Sequence, residues 1–257
     1  MSKLLYAKKK ETSYENFIAW CPDCDYKNIY NRITDLKTTE AIGFMKVKCL
    51  NDICGKEFNI NGDSINPAFQ MLVFDCCDLK QEKRYSYCIL NLAQAFEVFF
   101  SLYFRVELLY KPFSIEHKKG KDSLNHMNEL SKQLYEKIKT YPFVKLRNIF
   151  LNRLLINQPT KSLDDAEKII KDLNSLTTTP SDIMIGNIQD AHLSELLINL
   201  KNTKICELRN NVVHKLAYRP SIGEVDAAIK ETRSILFPLA SCLGMKIDDI
   251  NWYMSHA

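Results

Sequence analysis

The sequence predicts a mainly α-helical protein, an antiparallel helical bundle preceded by a small β-rich module. Three observations favour this fold class. Four of the nine cysteines lie within the first 60 residues, and only 7 glycines and 8 prolines occur in 257 residues. After residue 64 the apolar residues change from a period of two to periods of three and four. So few turn residues argue against a loop-rich β-sandwich or a glycine-rich nucleotide fold. We predict a module over 1–62 and a helical domain over 63–257.

The early cysteines form two pairs, Cys21-Pro-Asp-Cys24 and Cys49-Leu-Asn-Asp-Ile-Cys54, each preceded by a short strand-like segment. Two converging pairs of thiolates complete the tetrahedral shell that zinc prefers, and Gly55 suits the tight turn that follows. The segment over roughly 15–60 resembles a zinc ribbon, so we predict one structural zinc ion on all four cysteines. Four protein ligands would leave no position for a reactive water. The alternative is a β module with free buried cysteines, although so small a core would struggle to fold unaided.

The most apolar stretch, Tyr85 to Tyr110, predicts a long buried helix that ends before Lys111-Pro112. It is long enough to span a bilayer, but five polar groups within it would each be costly in lipid: Asn91, Gln94, Glu97, Arg105 and Glu107. We therefore predict no membrane contact. The first ten residues lack the apolar core of a secretory signal, and the cysteine count is odd. Both features predict a cytoplasmic protein.

The rest of the chain predicts further helices with identifiable ends. An exposed loop over 116–122 is followed by helices over 123–139 and 143–156, and Ser162 begins one that runs to about Leu173. After a loop over 177–180, apolar periodicity predicts helices over 189–201 and 203–217. Ser221-Ile-Gly-Glu224 is a capping box for a helix to about Leu243, bent near Pro238 and stopped at Gly244.

One short motif carries the functional prediction. In Glu207-Leu-Arg-Asn-Asn-Val-Val-His-Lys215, Arg209 is followed by Asn210, and His214 stands five positions after Arg209. This resembles the R-x4-H signature of HEPN domains, and the likeness extends over about 65–245. It implies a HEPN-like bundle and a metal-independent endoribonuclease whose composite site forms across a homodimer. It also implies a toxin or antiphage (abortive-infection) role, and an antitoxin or other regulatory partner would accompany such a role.

The chemistry of these residues fits RNA cleavage. Residues five apart on a helix are separated by about 140°, so Arg209 and His214 flank a face that also holds Asn210. We expect Ile205, Leu208, Val212 and Leu216 to face the core. A neutral imidazole can take a proton from a ribose 2′-hydroxyl, and a protonated one can give a proton to the leaving 5′-oxygen. A guanidinium can hold the phosphate. The alternative is an ordinary solvated helix face.

Two other positions bear on this site. Glu97 is an acid in an otherwise apolar helix, where an unpaired charge is expensive. It either orients or pairs with Arg209, or it lies at the solvent edge or pairs with a structural lysine. In the toxin–antitoxin branch with a nucleotidyltransferase partner, a modified tyrosine stands two residues after the histidine. Here that position is Leu216 and the nearest tyrosine is Tyr218, which speaks against regulation by tyrosine modification.

The net charge of +4 conceals two basic stretches. No acidic residue occurs from Lys137 to Leu163, and a second basic stretch surrounds the motif. Such stretches with interleaved aromatics suit single-stranded RNA; alternatively they are scattered over solvated faces. The candidate RNA-binding residues are Lys145, Arg147, Arg153, Lys215, Tyr218 and Arg219. Two competing functions remain: a non-catalytic HEPN-like RNA- or protein-binding module with a structural zinc ribbon, and a zinc-ribbon nucleic-acid binder whose helical part only dimerises.

Overall fold

The computed structural model describes residues 15–31, 35–36, 44–61, 65–116 and 121–245. The chain divides into two compact units, Met1–Ala68 and Phe69–Ala257. The described part of the first unit is rich in β-strand, and the second is helical. The prediction of a mainly helical protein with a small β-rich N-terminal module is therefore confirmed.

The N-terminal unit contains two small antiparallel sheets. Its strands are β1 (Glu15–Trp20), β2 (Lys27–Asn31), β3 (Phe44–Lys48), β4 (Glu57–Asn61) and β5 (Ile65–Pro67). The first sheet has the order β2-β1-β5, and β3 pairs with β4 in the second. Trp20 lies opposite Lys27, and Lys48 lies opposite Glu57. Cys21 and Cys24 lie in the turn between β1 and β2, and Cys49 and Cys54 lie in the turn between β3 and β4. The pairing of the strands therefore determines where the thiols lie.

A thin apolar core joins the two sheets. Strand β3 alternates, with Val47 buried and its neighbours Lys46 and Lys48 exposed, as a half-buried strand should. The Tyr30 hydroxyl donates to the Lys48 carbonyl at 2.9 Å, and the Leu50 N–H donates to Asn28 Oδ1 at 2.6 Å. The buried apolar side chains of this unit are Cys21, Tyr30, Val47, Cys49, Phe58 and Ile60. A core of this size gives little stability by itself.

The helical unit is built around one long central helix. Its elements are α1 (Ala68–Gln81), α2 (Tyr85–Arg105), a π-helical turn (Val106–Tyr110), α3 (Lys111–Glu116), α4 (Lys121–Ile138), α5 (Phe143–Ile156), α6 (Leu163–Asp172), a 3₁₀ turn (Leu173–Leu176), α7 (Asp182–Gly186), α8 (Ala191–Lys201), α9 (Ile205–His214) and α10 (Ile222–Cys242). Helix α2 packs against α5, α9 and α10. Its fully buried Phe96, Phe99 and Phe100 form edge or tilted ring contacts with the aromatic side chains of α5.

The segment from Tyr85 to Glu116 is long and apolar enough to cross a membrane, judged by length and composition alone. In the structure, however, 61% of its most apolar window is buried inside the protein. Its apolar side chains are therefore covered by neighbouring helices, which confirms the prediction of a buried helix.

The predicted end of this helix at Tyr110 is wrong. The chain stays helical through Pro112 to Glu116, because a π-helical turn precedes the proline. In that turn the Lys111 N–H bonds to the Val106 carbonyl, five residues back. Pro112 is the second residue of α3, directly after this turn, and has no N–H to donate to the preceding turn. Of the predicted loop over 116–122, Glu116 closes α3 and residues 121–122 open α4, while residues 117–120 lie outside the described residues.

Most other predicted helices are present with small shifts at their ends. Helix α5 has the predicted bounds, and Ser162 caps α6 by accepting the Asp165 N–H at 3.1 Å. The capping box of Ser221 and Glu224 is present at α10. Gly244, with φ +60, follows the C-cap Leu243 of α10, so the helix stops where predicted. Pro238 lies inside α10. The short helix α7 has no counterpart in the prediction.

Candidate functional site

The four N-terminal cysteines come together at one point. Their sulfur atoms all lie within 4.8 Å of one another, with 3.9 Å between Cys21 and Cys54 and 3.8 Å between Cys24 and Cys49. Zinc–sulfur bonds of about 2.3 Å in a tetrahedron place the sulfurs about 3.8 Å apart. Cys21 and Cys49 are buried, while Cys24 and Cys54 lie nearer the surface. The cluster is close enough to hold a metal ion, and its spacing fits tetrahedral zinc.

The backbone forms the same turn after both cysteine pairs and donates hydrogen bonds to two of the thiols. Asp25 (φ 53) and Gly55 (φ 56) each follow the second cysteine of a pair in the left-handed conformation, so both pairs end in the same tight turn. Burial raises the pKa of Cys24, but the Tyr26 N–H and the neighbouring thiols outweigh it and bring that pKa to about 7. For Cys54 the Lys56 N–H lowers the pKa, but burial and the other thiols raise it to about 11. A divalent cation would supply the charge that lets all four ionise together.

The Arg209 motif lies on α9, which packs against α2. Asn210 and His214 are exposed and Arg209 is half-buried. Arg209 Nη1 donates to Asn210 Oδ1 at 3.1 Å, and Asn210 Nδ2 lies 3.9 Å from Cys206 Sγ. Cys206, Asn210 and His214 are spaced four apart and therefore follow one side of the helix. The motif thus presents its polar groups to solvent on a helix anchored in the core by Ile205.

The predicted extent of this helix is wrong at its C-terminal end. Helix α9 stops at His214, Lys215 has an extended backbone (φ −88, ψ 119) and Ala217 has φ 59. Leu216 was expected to face the core but is 100% exposed. Because the chain leaves the helix at Lys215, the four-residue spacing from Val212 no longer directs Leu216 inward. Leu208 and Val212 do pack against the core as expected.

Glu97 lies on α2 within electrostatic range of Arg209 without forming an ion pair with it. The carboxyl group is half-buried, and its burial raises its pKa while the Arg209 charge lowers it. Within the described parts of the chain, neither a hydrogen bond nor an ion pair to Glu97 is found. The structure therefore brings Glu97 close to Arg209 but provides neither the direct contact nor the lysine partner considered from the sequence.

Cys206 is a neighbour of this site that the sequence prediction missed. Burial raises the pKa of its thiol, the charges of Arg147 and Arg209 lower it, and Glu97 raises it. Those three charged groups belong to α5, α9 and α2. The only local signal in the sequence is that Cys206 stands one helical turn before Asn210.

Two of the candidate RNA-binding residues are used inside the fold. Arg153 is buried, and its Nη2 donates to the Gln158 carbonyl at 2.5 Å and to Thr160 Oγ1 at 3.1 Å. Arg147 is half-buried and donates to the Lys201 carbonyl at 2.7 Å. Lys145 Nζ lies 3.6 Å from the centre of the Tyr141 ring. The guanidinium groups of Arg147 and Arg153 are thus hydrogen-bonded to backbone carbonyls within the fold, and RNA binding by this stretch stays a prediction.

The other three candidates lie in the turn that joins α9 to α10. Lys215 and Arg219 are exposed, and Arg219 Nη1 donates to the Tyr218 carbonyl at 3.2 Å. The Tyr218 hydroxyl donates to Glu224 Oε1 at 2.7 Å. This turn directly follows His214 in the chain, so the structure does present cations beside the motif.

Comparison of the chain with protein-family models, with curated proteins and with solved structures finds no match.

Proposed function

We propose that this chain is a HEPN-type endoribonuclease that cleaves RNA with Arg209 and His214. The observation that supports the proposal most directly is the placement of the motif on α9. Asn210 and His214 face solvent, and the Arg209 guanidinium, tied only to Asn210 within the described residues, lies near Glu97 of α2. A motif turned toward the core, or ion-paired to other helices, would have argued against a catalytic role.

The chemistry needs one base, one acid and one phosphate-binding group. A neutral His214 takes the proton from the ribose 2′-hydroxyl, and the 2′-oxygen forms a bond to phosphorus. The phosphorus–5′-oxygen bond breaks and the leaving oxygen takes a proton from an imidazolium. Arg209 holds the non-bridging oxygens throughout. The products are a 5′-hydroxyl and a 2′,3′-cyclic phosphate, or the 2′-phosphate that follows when the ring opens.

One chain supplies one His214, whereas this mechanism uses two proton-transfer groups. A homodimer in which two motifs face each other would supply the second histidine. Glu97, close to Arg209, would then orient the guanidinium. A toxin or antiphage effector, restrained by an antitoxin or other regulatory partner, is the biological role that this activity fits best. The four-cysteine module would hold one structural zinc ion.

The test is RNA cleavage without added divalent metal. We expect the wild-type protein to release fragments with cyclic phosphate ends and His214→Ala to lose at least about a hundredfold in rate with fold and RNA affinity unchanged. His192→Ala, on the exposed side of α8, is the matched control and should cleave at the wild-type rate. Cleavage by His214→Ala at the wild-type rate would show that the catalytic assignment is wrong.

A non-catalytic RNA- or protein-binding module is the second candidate. It is favoured by the internal bonds of Arg147 and Arg153, which leave fewer cations for a long substrate track. In that case wild type and His214→Ala would both leave RNA intact.

A further inference from the structure

The helical unit contains a groove separate from the Arg209 motif. It has a volume of about 620 Å³ and lies where the end of α5, the segment 157–161, α6 and the 3₁₀ turn meet. Small-molecule sites typically measure about 300–1,000 Å³. None of the residues that line it belongs to α2 or α9.

Arg153 lines this groove as a buried cation with no carboxylate partner in the described residues. The residue is 6% exposed, and its Nη2 is already bonded to Gln158 and Thr160. These acceptors are neutral, whereas buried charges in proteins are normally paired. Among the residues that the structure describes, no hydrogen bond to Nε or Nη1 is found. A buried guanidinium with neutral partners at the wall of a groove indicates an anion site.

Two exposed lysines line the same groove. Neither Lys161 nor Lys168 forms an ion pair with another described residue. By contrast, Lys171, one turn beyond Lys168 on α6, pairs with Glu167 at 2.8 Å. The two lysines of α6 therefore differ: Lys168 lines the groove and has no ion-pair partner among the described residues, whereas Lys171 is paired.

The remaining wall of the groove is suited to more than a simple ion. Ile156 is 42% exposed, and Ile169 and Leu176 are partly buried, so the groove offers an apolar surface. The carboxylates of Asp165 and Asp172 also line it and can accept hydrogen bonds. A ligand that matches this lining has an anionic group, an apolar ring and hydrogen-bond donors.

We propose that this groove binds a small phosphorylated organic molecule. Its phosphate lies against Arg153, Lys161 and Lys168, and its ring lies on Ile156, Ile169 and Leu176. Its hydroxyl or amino donors point to Asp165 and Asp172. The site does not depend on the ribonuclease function, since it shares no residue with the Arg209 motif.

The test is calorimetric titration of the full chain with AMP, adenosine and inorganic phosphate. We expect AMP to bind at least about tenfold more tightly than either fragment, because each fragment lacks one set of contacts. Lys168→Ala and Lys161→Ala should each weaken AMP binding about tenfold. Both side chains are exposed, so the variants should fold as the wild type does, which circular dichroism would check.

Lys171→Ala is the matched control on α6 and should bind AMP as the wild type does. Arg209→Ala should also leave AMP binding unchanged, which separates this groove from the motif. Failure of AMP to bind at millimolar concentration would overturn the proposal. So would equal losses in Lys168→Ala and Lys171→Ala, or inorganic phosphate that binds as tightly as AMP.

Discussion

Glu97 is a half-buried acid that lies between the aromatic core and the candidate site. It follows the fully buried Phe96 on α2 and lies close enough to Arg209 for their charges to interact. Burial favours the neutral carboxyl and Arg209 favours the carboxylate, and burial has the larger effect. The chain therefore retains a costly group next to its candidate site.

We predict that Glu97→Gln stabilises the protein at high pH. The pKa of Glu97 is raised in the folded state above its unfolded value of about 4.3. The stability that its protonated form contributes is present below the unfolded pKa and is lost as the pH rises through the folded pKa. Glutamine does not ionise. The variant should therefore have a larger free energy of unfolding than the wild type at about pH 8 and the same free energy at about pH 4.

Urea unfolding followed by helical circular dichroism at both pH values measures this difference. Glu195→Gln, at an exposed position of α8, is the control and should show no such dependence. A stability change in Glu97→Gln that is the same at both pH values would contradict the assignment of burial as the cause.

At the scale of the element, helix ends were predictable where a side chain marks them. Ser221 accepts the Glu224 N–H at 3.2 Å, and Glu224 Oε2 accepts the Ser221 N–H at 2.7 Å. Such reciprocal bonds involve residues three apart, so the sequence records them directly. The π-helical turn before Pro112 and the end of α9 at His214 have no such mark. The continuation of the helix past Pro112 and the end of α9 both depend on packing against other helices, which no nearby residue type indicates.

We predict that Ser221→Ala lowers the free energy of unfolding by about 1 kcal/mol, because the first turn of α10 loses its side-chain acceptor. Ser221→Asp keeps a side-chain acceptor, so its free energy of unfolding should fall by less than that of Ser221→Ala. The measurement is the urea midpoint of the helical unit. Ser234→Ala, in the middle of the same helix, should change the free energy by less than about 0.5 kcal/mol. Equal effects at the two serines would mean that the capping box contributes nothing.

At the scale of the whole molecule, the two units differ in what stabilises them. The helical unit has a large aromatic core around α2. The N-terminal unit has a small one, with two of the four clustered cysteines among its buried side chains. Binding of structural zinc contributes about 10–16 kcal/mol in zinc-finger peptides, which exceeds what a small apolar core supplies.

We predict about one zinc ion per chain in protein purified without added metal, measured by mass spectrometry of the metal content. Chelation should open residues 15–61 to proteolysis while the helical circular dichroism signal persists. Cys24→Ser should behave like the chelated protein, and Cys77→Ser, an exposed cysteine of α1 outside the cluster, should keep its metal. Folded protein with no bound zinc would show that the cluster is not a zinc site.

The candidate sites were predictable to different degrees. Two cysteine pairs, with two and four residues between their members and Gly55 after the second pair, already predict a cluster, and the four sulfurs do converge. Arg209 and His214 were found from their spacing. The bonds of Arg147 and Arg153 to backbone carbonyls could not be predicted. A basic stretch has the same sequence whether its side chains face solvent or bond to the backbone.

The helical class, most helix positions, the capping box of Ser221 and Glu224 and the four-cysteine cluster were all predictable from the amino-acid sequence. Each of these features depends on residues a few positions apart or on the periodic spacing of apolar residues. The exposure of Leu216, the proximity of Glu97 to Arg209 and the position of Arg153 at a groove became visible in the folded chain. Burial and charge environment depend on neighbours from distant parts of the chain, and no local pattern records them.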